Sequence, residues 1–157
     1  MIIAATGHRP NKLGGYGDAV FDRLTKVAED YLNKVDPDKI ITGMALGWDM
    51  AWATAGIRLG YPVIAAVPFE GQESMWPKAS QEIYFRLLSQ CEDIISVNPP
   101  NYAAWKMQTR NEWMVDNATR IAALWDGSKG GTGNCIAYAN KQNKPIDNLW
   151  EEFNNEI

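Results

Sequence analysis

Five short apolar runs alternate with stretches of helical periodicity, and this alternation limits the fold more than any other feature of the chain. The runs are 2–6, 39–43, 63–67, 93–97 and 120–125. Val63 to Val67 is continuously apolar rather than alternating, as strands are when both faces of a sheet are covered. Between the first two runs, Val20, Phe21, Leu24, Val27, Ala28, Tyr31, Leu32 and Val35 recur at helical spacing, and Asp36-Pro37-Asp38 ends the pattern. The stretches 48–59, 76–90, 107–117 and 132–142 also read as helices, with Met107, Met114, Val115 and Ala118 on a shared face. A short strand at 145–149 and a final helical turn close the chain. Strands separated by helices pair in parallel through right-handed crossovers. The expected fold is α/β: a single Rossmann-like, doubly wound domain over residues 1–157, with a mostly parallel sheet of about five strands and helices on both faces. In such sheets ligands lie beyond the carboxyl ends of the strands, where the strand order reverses.

At 157 residues the chain suits one core. Its formal net charge of -4 offers no overall positive field for nucleic acid or anionic lipid, so a nucleic-acid partner is not expected. No run of apolar residues is long enough to span a membrane, and Met1 to Ala5 is too short and uncharged for a secretion signal. A cytoplasmic location follows as the expectation. Cys91 and Cys135 lack metal-ligand spacing and read as reduced, buried thiols. With His8 the sole histidine, no metal site is expected.

The expected strand ends carry the polar chemistry. After the last long run comes Asp126-Gly127-Ser128-Lys129-Gly130-Gly131-Thr132-Gly133-Asn134, a loop rich in backbone, hydroxyl and ammonium donors that leads into a helix N-terminus. That composition suits a phosphate; the plainer reading is a tight turn. After the second run, Gly43-Met44-Ala45-Leu46-Gly47-Trp48-Asp49 puts a carboxylate in a first helical turn, where it would repel phosphate and accept hydroxyls such as a ribose diol. Asp49 could equally be a helix-terminus carboxylate. Trp48 could stack on a base, although a tryptophan beside an alanine-rich helix is more often core. After the first run, Thr6-Gly7-His8-Arg9-Pro10 adds a guanidinium able to grip an anion bidentately, with His8 either a ligand contact or a hydrogen-bonded loop residue. Arg110 and Asn111 precede the fifth strand; spacing alone pairs Arg110 with Glu112 or Glu82.

Carboxylates for acid or base work are Glu70, Glu73 and Asp49, against the commoner fate of solvated charges. Neither the phosphate-loop signature nor the complete G-x-G-x-x-G fingerprint is present, and no cofactor is indicated.

Together, Thr6-Gly7-His8-Arg9-Pro10, Gly43-Met44-Ala45-Leu46-Gly47-Trp48-Asp49, Arg110-Asn111-Glu112-Trp113-Met114-Val115-Asp116, Trp125-Asp126-Gly127 and Gly130-Gly131-Thr132 resemble the SLOG superfamily, in its YpsA-like branch of bacteria and phages. The resemblance covers nearly the whole chain. It implies a Rossmann-like binder of a nucleotide or nucleotide-derived ligand; the expectation built on it is a sensor or sequestering protein, with NAD or ADP-ribose derivatives among the candidate ligands. The resemblance implies a site at Gly7, Arg9, Gly43, Gly47, Asp49, Arg110, Gly130, Gly131 and Thr132, to which the reading of the residues themselves adds Thr6, His8, Trp48, Asn111 and Ser128 as expected ligand contacts. The LOG relatives cleave the bond between base and ribose phosphate and carry a glutamate after the second glycine motif. Here Gly131-Thr132-Gly133-Asn134-Cys135-Ile136 has no acid, which turns the expectation from enzyme toward binder. Phosphoribohydrolase or ribosyltransferase chemistry is the alternative, and single-stranded DNA binding, as in the DprA-like relatives, a weaker one. A homodimer would follow if the tryptophans proved exposed.

Overall fold

The chain alternates strand and helix from end to end, as a computed structural model describing residues 1–155 shows. The strands are β1 (Ile2–Gly7), β2 (Lys39–Thr42), β3 (Val63–Val67), β4 (Asp93–Ser96), β5 (Arg120–Leu124) and β6 (Ile146–Asn148). The α-helices are α1 (Asp18–Val35), α2 (Trp48–Arg58), α3 (Lys78–Leu88), α4 (Ala104–Asp116), α5 (Gly131–Lys141) and α6 (Trp150–Asn155), with a 3-10 turn at Pro10–Lys12. The strands make one six-stranded sheet in the order β4-β3-β2-β1-β5-β6, and every neighbouring pair is parallel. The expected five strands thus become six through the short tail segment, which pairs Ile121 with Ile146.

The period-two alternation of each strand sorts its residues between two apolar layers. Ile3, Ala5, Ile40, Val63 and Ala65 pack with Leu24 and Val27 of α1, Trp52 of α2, Leu87 of α3 and Phe153 of α6. Ala4, Ile41, Ala66 and Ile121 face the other way, onto Met114 and Val115 of α4 and Cys135 and Ala139 of α5. The paired alanines in β1, β3 and β5 leave room for bulk on the helices. Trp48 and Trp52 use it: both are fully buried, and their indole N–H groups donate to Ala122 O (3.1 Å) and Ile41 O (3.2 Å). These bonds satisfy the one polar group of each indole inside the layer.

Two expectations need correction at this level. Trp48 is a core residue, with no exposed face for a base to stack on. Met107 does not share the buried apolar face of Met114, Val115 and Ala118 but is only half-buried, and its side of α4 faces a cavity. Burial pushes the thiols of Cys91 and Cys135 up to about 11, and both are free. No helix among the described residues is long and apolar enough to cross a membrane.

Close approach, rather than flexibility, explains the glycine at position 47. Its φ of 93° lies in the left-handed region, and a Cβ there would stand 2.5 Å from His8 O. That crowding lets the turn before α2 lie against the end of β1, where the Trp48 N–H donates to His8 O at 3.3 Å. Gly131, by contrast, faces open space. Gly47→Ala is therefore expected to destabilise the protein by about 2–4 kcal/mol in chemical denaturation, through the unfavourable backbone and the forced contact. Gly131→Ala should change stability by less than about 0.5 kcal/mol. Equal effects of the two would contradict this packing.

Candidate functional site

The strand order reverses between β1 and β5, so the loops leaving these two neighbours diverge to opposite faces and open a crevice. A cavity of ≈ 280 Å³ lies there. One wall is the loop from β5 into α5. Gly130 has φ 147°, a conformation reserved for glycine, and turns the chain into the helix. The first helical bond of α5 runs from Asn134 N–H to Gly130 O, so the N–H groups of Gly131, Thr132 and Gly133 precede the ladder. With the positive end of the α5 dipole behind them, these groups form an anion-accepting edge.

The loop is held in shape by its own contacts. His8 Nε2 lies 2.8 Å from Asp126 Oδ1 and 3.1 Å from Asp126 N, and the His8 ring meets Trp150 edge-on. Asp126 Oδ1 also accepts the Ser128 N–H (2.9 Å), and bonds with Ser128 and His8 hold its carboxyl well below the usual range. Trp125 Nε1 donates to Ser128 O at 2.8 Å. Lys12 Nζ donates to Ser128 Oγ at 2.6 Å. His8 is thus chiefly a strut that fixes the glycine loop.

The opposite wall belongs to α2 and α4. Arg110, 4% exposed, donates through Nη1 to Gly43 O (2.6 Å) and Ala66 O (3.3 Å), and through Nε to Asn111 Oδ1 (2.9 Å). The salt bridge expected from spacing does not form: Glu112 accepts from Gln108 instead, and Arg110 bonds backbone carbonyls at the ends of β2 and β3. Asp49 is 6% exposed, its Oδ2 accepts the Ala45 N–H at 3.4 Å, and its Oδ1 has no partner among the described residues. Burial pushes the Asp49 carboxyl up to about 6, against the pull of Arg110, the Ala45 N–H and Arg9. Burial likewise lowers Arg110, while Asp49 opposes that shift. Arg9 is exposed, and its guanidinium has no hydrogen-bond or ion-pair partner among the described residues, while its backbone carbonyl accepts the Lys12 N–H.

Of the residues named from sequence, Thr6, Gly7, His8, Arg9, Asp49, Arg110, Asn111, Ser128, Gly130, Gly131 and Thr132 line this one cavity. Gly43, Gly47 and Trp48 do not. A Cβ at Gly43 would stand 2.7 Å from Arg110 Nη1 and 2.8 Å from Asp49 Oδ2, so this glycine makes room for the charged pair. Glu70 lines a second cavity, of ≈ 560 Å³, which meets the first at Arg9 and Met107; Glu73 is buried and lines neither. Sequence reasoning missed Asn11, Lys12, Ala45 and Met107 on the first cavity's wall. Pro10 was a usable signal for Lys12, since a proline opening a tight turn sends the next residues back over the strand end. The lining holds four cations, Arg9, Lys12, Arg110 and Lys129, against Asp49 alone. No metal-binding cluster occurs among the described residues.

Comparison with known proteins agrees with this architecture. A family model described as the YspA SLOG family matches residues 3–149. The SPbeta prophage-derived protein YoqJ of Bacillus subtilis (strain 168) is 36% identical over 136 residues, covering 76% of this chain and 80% of that protein. A UPF0398 protein of Bacillus pumilus (strain SAFR-032) is 27% identical over 147 residues, covering 83% and 76%. Among solved structures, DNA processing protein A (DprA) of Streptococcus pneumoniae superposes with a TM-score of 0.67 at 18% identity over 92% of this chain. This chain spans about half of that protein, 48% of its length. The protein TM1055 gives a TM-score of 0.62 at 14% identity, covering 92% of this chain and 71% of its own. A DprA from Helicobacter pylori, described for its single-stranded DNA binding mode, gives 0.67 at 17%, covering 93% and 63%.

The raised Asp49 carboxyl has a pH signature. With its ordinary value of 3.8 lifted to about 6, the folded protein keeps a proton that the unfolded chain has lost, so stability falls as pH rises across that window. Asp49→Asn removes the charging step. Relative to the wild type, the variant should gain on the order of 2 kcal/mol between pH 4 and pH 7 in urea unfolding. Stability curves that run parallel over that range would refute the assignment.

Proposed function

The chain belongs to the YspA SLOG family, and from that premise we propose that it acts as a single domain binding a phosphorylated, hydroxyl-bearing ligand, a nucleotide or a nucleotide-derived molecule, as a sensor or sequestering protein. One observation carries this reading: an anion-accepting wall and a buried carboxylate oxygen without a partner share one cavity at the sheet's switch point. The two walls suit opposite ends of one molecule. The N–H groups at the start of α5, with Lys12, Lys129 and Arg9, favour phosphate. Asp49 Oδ1 favours hydroxyl donors, because a buried acceptor without a donor is costly and a ribose diol supplies one. NAD or ADP-ribose derivatives are ligands of this kind.

A second reading has its own support. Two of the proteins sharing this fold are DprA proteins, one of them described for binding single-stranded DNA, which weakens the expectation that nucleic acid is not a partner. The net charge of -4 still argues against an extended electrostatic footprint. Bond cleavage at the sugar remains the enzymatic alternative, with Asp49 or Glu70 as the carboxylate, and release of free base from nucleoside monophosphates is its assay.

A thermal-shift series with mono-, di- and cyclic nucleotides, NAD and ADP-ribose tests the proposal. A ligand at 100 times its Kd adds about 2.7 kcal/mol, which raises Tm by roughly 5–10 °C in a chain of this size. Arg9→Ala should weaken the response at least about 10-fold in ligand concentration, since it removes a charge-assisted contact and nothing the fold uses. A panel without any shift, or a shift indifferent to Arg9→Ala, would sink this reading. Binding only of oligothymidylate, falling steeply with salt, would move the protein to the DNA reading.

A further inference from the structure

We propose that the second cavity, beside Arg9 and Met107, seats an aromatic base, so that the ligand is a nucleoside phosphate lying across both cavities. This rests on the phosphate reading of the first cavity and extends it along the same edge of the sheet. The second cavity lies at the carboxyl ends of β3 and β4, and its ≈ 560 Å³ adjoins the phosphate cavity through two shared residues, Arg9 and Met107. Its volume falls within the range of about 300–1,000 Å³ common for small-molecule sites.

The cavity's aromatic wall is built rather than incidental. Phe69 is 4% exposed and meets Tyr102 edge-on, with ring centroids 6.1 Å apart at 81°, while Tyr102 itself is 72% exposed. Tyr102 stands on a clamped loop. Lys106, 9% exposed, donates to Pro99 O (3.0 Å), Pro100 O (3.0 Å) and Asn101 O (2.9 Å), gathering three successive carbonyls on one buried ammonium. Asn98 Nδ2 adds a bond of 2.9 Å to Pro68 O, tying the loop after β4 to the loop after β3. A buried lysine that saturates its three donors on one loop fixes that loop, and the fixed loop presents an open phenol ring toward the cavity.

The polar part of the wall decides what kind of ring fits. Gln72 is 8% exposed and its Nε2 is committed to Gly43 O (3.2 Å) and Tyr84 Oη (3.3 Å). Its Oε1 is buried without a partner among the described residues. Glu70 adds an exposed carboxylate on the same wall. The buried Gln72 acceptor calls for an N–H or O–H donor, and Glu70 offers a second acceptor beside it. A lipid chain or aliphatic side chain would leave them unmet, whereas a nucleobase brings a π-face for Tyr102 and edge N–H groups for Gln72 and Glu70. The first cavity repeats the pattern, since its buried orphan, Asp49 Oδ1, is also an acceptor.

Isothermal titration of the intact chain with the four nucleoside 5′-monophosphates, ribose 5-phosphate, inorganic phosphate and oligothymidylate tests the assignment. At least one nucleotide should bind about 10-fold or more tightly than ribose 5-phosphate, because stacking a base on an aromatic ring accounts for a factor of that size. Tyr102→Ala should erase that preference, Tyr102→Phe should keep it, and neither should alter ribose 5-phosphate binding. The exposure of Tyr102 makes both variants foldable, which a circular dichroism melt verifies. If ribose 5-phosphate binds and no nucleotide binds more tightly, or if Tyr102→Ala leaves the preference intact, the base seat is wrong and the phosphate reading stands. If no phosphate-bearing probe binds, both fail together. Binding of oligothymidylate without any mononucleotide overturns the base seat in favour of polymeric DNA.

Discussion

The buried guanidinium of Arg110 is the interaction on which the site's geometry depends. It reaches from α4 on one face of the sheet to the carbonyls of Gly43 at the end of β2 and Ala66 in β3, and so ties a helix to two strand ends at the edge where the cavity opens. A charge in that position needs compensation, and Asp49 supplies part of it from α2 on the other face. Gly43 lies between them because any Cβ would displace one of the two groups. The cavity floor is therefore a charged layer that crosses the sheet's end.

Around that floor the cavity divides by charge. Arg110 spends its donors on carbonyls and Asn111, whereas Arg9 has none of its donors committed. The first is architecture and the second is available. The same division separates the glycines. Gly7, Gly43 and Gly47 are small so that Trp48, the charged pair and the His8 carbonyl can approach, while Gly130 and Gly131 stand in open space beside the ends of a helix's unbonded N–H groups. A glycine that faces solvent at a helix start is conspicuous, because packing gives no reason for it.

That distinction marks where sequence reasoning succeeds. The α/β alternation is legible because strand runs and helical periods are local properties, and the sixth strand shows only as a short segment in the tail. Crowded loops with Gly, Ser and Thr are legible at strand ends for the same reason. Trp48 and Arg110 are not. The choice between a stacking indole and a core indole depends on the space above Gly7, and the choice between an ion pair with Glu112 and carbonyl bonds across the sheet depends on residues 67 and 44 positions away. Lys12 escaped notice because it is ordinary in its own segment, and Met107 because helical periodicity places it with the apolar face of α4. Lys106 did too: a lysine on a helix reads as solvated until the loop it gathers is folded against it.

Buried polar atoms without partners sharpen the division between fold and function. A folded chain and its ordered waters satisfy nearly all such atoms, so each exception asks for a partner from outside the chain, water included. Of the three orphaned side-chain atoms among the described residues, Arg23 Nε lies at α1, where Arg23 already donates to Phe153 O and covers its ring. The other two, Asp49 Oδ1 and Gln72 Oε1, belong to residues that line the adjoining cavities. Both are acceptors, and both have their remaining polar atom already engaged by the protein. The protein thus brings donors to one wall, at the start of α5, and leaves acceptors without donors on the others. Phosphate alone answers only the first wall; a ligand that also carries hydroxyl and N–H groups answers all of them.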